Sequence, residues 1–129
     1  QKMEGHLKLY SGDPPRYTSD FYARHPERHI HRNIILYVDY VEPLPEADAP
    51  EGYSVLWAQT SNEGIPGGGI AVYFPDTMRE DFLRHYGTQE TYEDRAAPTG
   101  QVAPKALTGG LYPYDGQLIL VIRPVSPDP

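Results

Sequence analysis

Three of the chain's five histidines fall within seven residues, as His25-x-x-x-His29-x-His31 with Glu27 between them. Imidazole is the commonest side-chain ligand for zinc, and this cluster is the sharpest candidate for chemistry in the chain. His29 and His31 share a face if residues 29–31 are extended, because side chains alternate along a strand. His25 and His29 are four apart, which suits one face of a helix, but Pro26 breaks any helix between them. The three rings therefore converge only if the chain bends sharply. A metal-binding protein or metal-dependent hydrolase centred on His25, His29 and His31, with zinc as its metal, is one reading. Exposed imidazoles in a polar lead-in are the simpler account, and on that account no cofactor is expected.

Other constellations are weaker. Gly64-Ile-Pro-Gly-Gly-Gly69 is glycine-rich but lacks the Gly-Lys-Ser/Thr ending of a phosphate loop. It also leads into a strand rather than a helix, so it reads as a flexible turn with room for a bulge. Carboxylates gather in Glu42–Glu51 and at Glu93-Asp94, but four acids in a proline-rich loop point to solvation rather than acid–base work. That loop also lacks the alternating oxygen ligands and tight glycine turn of a calcium site. No Gly-x-Ser-x-Gly occurs and the chain has no cysteine, so neither a serine elbow nor a thiol nucleophile is available. No catalytic residue is assigned.

Aromatic residues are the remaining clue. The chain holds eleven Tyr against three Phe, and a phenol suits a half-wet surface with its apolar ring and polar tip. Tyr37 and Asp39 point outward from their strand if the opposite face is core. Tyr53 and Trp57 share a face of the next strand, and Tyr73 lies in the third. These five are the candidate ligand-binding residues. A lone Trp in a small domain more often belongs to the core, so Trp57 carries both expectations.

The elements that must position them are legible as strands and one helix. Arg32–Val41 is β-branched, aromatic and free of Gly and Pro. Ile34, Leu36, Val38 and Tyr40 fall on one face and Ile35, Tyr37, Asp39 and Val41 on the other. Tyr53–Ser61 is a second strand, Asn62–Gly68 a turn and Gly69–Phe74 a third strand. A helix over Met78–Tyr86 follows, with Thr77 and Glu80 in a capping-box pattern and Gly87 as the stop. Met78, Phe82 and Leu83 are expected to plug one end of the domain. Residues 88–105 read as a long polar loop. Ala106–Tyr112 and Gln117–Arg123 are two last strands, joined through Asp115-Gly116 as a tight hairpin. Before the first strand, Leu7–Tyr10 is a short strand candidate, and Thr18 or Ser19 could cap a turn of helix over Asp20–Arg24.

This order, three strands, a helix and two strands, predicts an all-β fold with one helix. It is the five-stranded Greek-key barrel called the OB-fold, with residues 1–32 as an N-terminal extension and 33–123 as the barrel, all in one domain over 1–129. Asn33–Arg123 resembles exported bacterial OB-fold domains of mostly unknown role. The resemblance is carried by "NIILYVDYVEP", "GIAVYFPD" running into the helix, and "YDGQLILVIRP". The aromatic strand face points to a non-catalytic binding or interaction module, and the resemblance implies a periplasmic or otherwise exported setting. It supplies no catalytic motif.

Charge narrows the partners. The net charge is -7, made of +2 over residues 1–33 and -9 over the remainder. Phosphate backbones need a basic surface, so a single-stranded nucleic-acid binder, although a known use of the fold, is the less favoured alternative. A protein or neutral glycan partner fits better. No apolar run is long enough for a transmembrane segment, and no signal peptide is recognisable in the sequence given.

Overall fold

The structure is a computed structural model that describes residues 14–45, 48–96, 100 and 102–123. The proposed strand at Leu7–Tyr10 lies outside the described residues. Five strands, β1 (Arg32–Pro43), β2 (Tyr53–Asn62), β3 (Ile65–Pro75), β4 (Lys105–Tyr114) and β5 (Gln117–Val121), form a closed barrel in the order β1-β2-β3-β5-β4. β4 pairs back onto β1, and only the β3–β5 pairing is parallel. Between β3 and β4 the chain makes a 3-10 turn at Asp76–Met78, then α2 (Arg79–Tyr86) and α3 (Gln89–Ala96). The strand count, closure and helix position are those expected of an OB-type barrel.

Alternation builds the interior, with two corrections. Ile34, Leu36 and Val38 point inward as expected, but the phase then switches. The pairing of β1 with β2 slips between Val38 and Tyr40, leaving Asp39 as the extra residue of a bulge. Val41 therefore enters the core and Tyr40 turns out to meet Tyr92 on α3, ring to ring at 5.3 Å. The second correction concerns the glycine cluster, which is strand rather than turn. The tight turn is Glu63-Gly64, both at positive φ, and β3 begins at Ile65. A slip between Gln59 and Ser61 places a bulge within Pro66–Gly69.

That bulge docks the N-terminal segment. Thr18 caps α1 (Ser19–Arg24) through its hydroxyl, which accepts from the Phe21 N–H. A Cβ on Gly67 would collide with the Thr18 side chain, so only glycine leaves room for it. Ser19 Oγ donates to the Gly69 carbonyl at 2.9 Å, and Thr60 Oγ1 donates to that of Gly68 at 2.6 Å. Tyr22 enters the core from α1 and its hydroxyl donates to the Ile35 carbonyl at 2.7 Å.

α2 packs at the other end of β3. Phe82 stacks on Phe74 with centroids 4.4 Å apart, Tyr86 is buried beside it, and Met78 and Leu83 pack against the same core. The capping box is not formed. Asp76–Met78 winds as a 3-10 turn, Met78 takes the N-cap position, and no side-chain cap bond is made there. Gly87 does end the helix, at φ 75°. The stretch 88–105 is not a plain loop, since α3 occupies its first half.

Candidate functional site

The outer surface of β2, β3 and β5 carries a second hydrophobic cluster, separate from the barrel interior. Val55, Ala71 and Tyr73 are buried in it, with Tyr53, Trp57, Ile119 and Val121 packed around them. Register explains the assembly. Val55 pairs with Tyr73 and Trp57 with Ala71, while the parallel β3–β5 ladder sets Ala71 beside Ile119 and Tyr73 beside Val121. Residues in register share a face, so these side chains form one continuous strip.

Leu44 and Ala49 of the β1–β2 connection also pack on this strip. The connection was expected to be a solvated loop, yet two of its apolar residues cover part of the sheet. From the opposite side the β4–β5 hairpin brings Tyr114, whose ring lies 6.2 Å from that of Tyr73, edge to face. Asp115 and Gly116 turn this hairpin at positive φ, as the Asp-Gly pair predicted. Between the two loops lies a groove of about 250 Å³ lined by Pro50, Tyr53, Tyr73, Tyr114, Ile119 and Val121. In OB-folds the face of strands two and three, flanked by these same two loops, is the usual ligand surface.

The groove's tyrosines differ from those of the interior. Tyr22 and Tyr86 each spend their hydroxyl on a backbone carbonyl. Among the described residues, the hydroxyls of Tyr53, Tyr73 and Tyr114 have no hydrogen-bond partner in the protein. Tyr114 is exposed and Tyr53 half-buried, so these hydroxyls reach solvent and are left to water or to a ligand. Burial pushes the Tyr73 phenol above its ordinary range, with Tyr114, Asp48 and Asp115 adding to the shift. The two carboxylates thus lie close enough to give the groove a negative rim.

The structure divides the five candidate binding residues among separate places. Tyr53 and Tyr73 line the groove. Trp57 is on the same outer strip rather than in the barrel interior, and its indole lies so close to Gly69 that a Cβ there would collide with it. Tyr37 is elsewhere, its ring 5.0 Å from that of Tyr17. Asp39 sits in a wider cleft of about 1010 Å³ with Tyr40, Gln59, Ser61 and Tyr92. There it accepts a hydrogen bond from Ser61 Oγ at 2.8 Å, while burial raises its carboxyl above the ordinary value and the Ser61 bond offsets part of that rise. Tyr114, Pro50, Ile119 and Val121 were not anticipated as partners of Tyr73. The Asp-Gly hairpin signal was available, but the parallel pairing that brings β5 beside β3 leaves no mark in local sequence.

The histidines go three ways. His25 faces Glu27, with Nδ1 3.7 Å from a carboxylate oxygen. His29 lies against the rings of Phe21 and Tyr22, and His31 against that of Tyr112. Among the described residues, no group of three or more His, Cys, Asp or Glu side chains comes together as a metal site would require. Also among the described residues, no helix is long and apolar enough to cross a membrane.

Together the closed order of strands, the helical insertion and the loop-flanked aromatic face define a small OB-type β-barrel. Comparison with protein-family models, with curated proteins and with solved structures finds no match for this chain.

Proposed function

We propose that this chain is a non-catalytic binding module whose tyrosine groove takes a short, apolar, proline-bearing peptide segment with a basic residue beside it. The observation that carries this reading is the set of three phenols, Tyr53, Tyr73 and Tyr114, lining one groove with their hydroxyls uncommitted. Grooves walled by aromatic rings suit extended proline-bearing segments, which lose little entropy on binding. The aliphatic floor of Ile119 and Val121 offers such a segment no competing polar group. Asp48 and Asp115 at the rim favour a cation on the peptide. The resemblance to exported bacterial domains extends the proposal to a module acting outside the cytoplasm.

Selection from a random peptide display library tests this, with a Tyr53→Ser, Tyr114→Ser double variant as the counter-target. Enriched sequences should carry proline and aliphatic residues next to Lys or Arg, and should bind the double variant at least about tenfold more weakly, a loss of about 1.4 kcal/mol. Peptides that bind both proteins equally would sink the reading. Neutral oligosaccharides that bind where no peptide does would replace it with a glycan site. Mixed-sequence single-stranded DNA and RNA should bind no tighter than about 10 μM at physiological salt, weaker than specific nucleic-acid complexes.

A further inference from the structure

The chain is acidic overall, yet one of its concavities is lined by two arginines and no acid. At the seam of β1, β4 and the end of β5 lies a pocket of about 440 Å³, with His31, Arg32, Asn33, Thr108, Tyr112 and Arg123 as its polar lining over a glycine floor. Its polar groups are two guanidiniums, an imidazole, an amide and two hydroxyls. Both arginines stand at the ends of the seam, Arg32 at the start of β1 and Arg123 just after β5.

The pocket is built rather than incidental. His31 precedes β1 at φ 66°, a left-handed conformation that residues other than glycine adopt rarely. Its N–H donates to the Leu111 carbonyl at 2.6 Å, which holds the turn against β4. The His31 ring then meets Tyr112 edge to face at 5.4 Å. Arg123 donates from Nη2 to the Tyr112 hydroxyl oxygen at 2.7 Å. The Tyr112 ring reaches both because it lies back over Gly110, where an added Cβ would sit 2.8 Å from the ring. Because the phenol oxygen accepts from Arg123, its own O–H remains available to donate into the pocket.

We propose that this pocket binds the phosphate group of a small phosphorylated molecule, with the guanidiniums of Arg32 and Arg123 as its principal donors and the His31 ring and Tyr112 hydroxyl beside them. Guanidiniums match tetrahedral oxyanions with paired N–H donors, and two of them suit a dianion better than a single carboxylate. The volume exceeds what phosphate alone would fill, so the rest of the ligand lies over Thr108 and the glycine floor. This site is independent of the tyrosine groove, and neither stands or falls with the other.

Titration with glycerol 3-phosphate, inorganic phosphate and acetate at about 20 mM ionic strength, where surface electrostatics are weakly screened, tests it by calorimetry and amide chemical shifts. Glycerol 3-phosphate should bind one to one, shift the amides of residues 31–33 and 108–112, and outcompete acetate. Arg123→Gln and Arg32→Gln should each weaken it by about tenfold or more, as loss of a hydrogen bond to a charged group does. Arg84→Gln, on the exposed face of α2 and paired with Asp81, should leave it within about twofold. Both pocket variants can be checked for unchanged thermal melts, and one that fails to fold leaves the other to decide. Absence of saturation, equal loss in Arg84→Gln, or no loss in either pocket variant would overturn the proposal. Tighter binding of acetate would overturn the assignment to phosphate.

Discussion

The barrel interior and the outer β2–β3–β5 strip are both hydrophobic clusters with buried members, yet they are sealed differently. Inside, Leu36, Val38, Val41, Leu56, Val72, Phe74, Leu111 and Leu120 have no exposed surface, and strand closure makes the seal. Outside, Val55, Ala71 and Tyr73 retain 7%, 8% and 8% of theirs, and the seal is a loop contributing Leu44 and Ala49. Polar atoms follow the same division. Interior hydroxyls of Thr60, Tyr22 and Tyr86 are each bonded to backbone, whereas those of the groove are not. Buried area alone does not separate a stabilising cluster from a binding one; what the polar atoms do distinguishes them.

Mutations should therefore separate stability from binding. The largest effect is expected inside. Phe82→Ala removes a ring stacked on Phe74 and should cost about 3–5 kcal/mol in urea melts. A cost below about 1 kcal/mol would mean that α2 is not part of the core. Thr60→Val comes next. The Thr60 hydroxyl accepts from the Ser19 N–H and donates to the Gly68 carbonyl, so its loss orphans backbone groups at the α1 docking site. A loss of about 1–3 kcal/mol should follow, with earlier amide exchange in residues 18–24. On the outer strip, Tyr114→Ser should change stability by no more than about 0.5 kcal/mol, since the residue is 55% exposed. It should nonetheless weaken peptide binding, and a large stability loss there would make the strip a second core.

The sequence carries this division unevenly. Alternation in Arg32–Val38 was readable because one face meets only the core, and the Thr18 cap and the Asp115-Gly116 turn follow from local chemistry alone. The phase switch at Asp39 was not readable, because a bulge depends on the partner strand. Glycines at 67–69 read as flexibility when their cause is close approach by Thr18, Asp20 and Trp57, which only tertiary structure shows. α3 escaped notice because Gln-Glu-Thr-Tyr-Glu-Asp-Arg-Ala has no buried residue to set a helical period. Thr77 matched a capping box, but a 3-10 turn moved the helix start past it. Half of the groove was visible in Tyr53 and Tyr73; the other half needed the β3–β5 pairing.

Asp39 lies at the boundary between the two regimes and gives the smallest effect. Its carboxyl is partly withdrawn from water, which raises it above the ordinary value of 3.8, while Ser61 supplies one compensating hydrogen bond. Folding then favours the protonated form. At pH values just above 3.8 the folded chain holds a proton that the unfolded chain has released, so stability falls as pH rises through that window and levels off beyond the folded value. Below both values the contribution is fully present. Asparagine imitates the protonated acid in size and keeps an oxygen for Ser61 Oγ to donate to. Asp39→Asn should therefore raise the melting temperature slightly at neutral pH, and the gap to the unaltered protein should close as pH drops below about 4. Thermal melts of both proteins at neutral pH and at about pH 3.5 measure this directly. A variant less stable at neutral pH, with the gap closing in acid, would show that the carboxylate is held there by favourable charge rather than merely tolerated, and would place this cleft with the bonded interior rather than with the open groove.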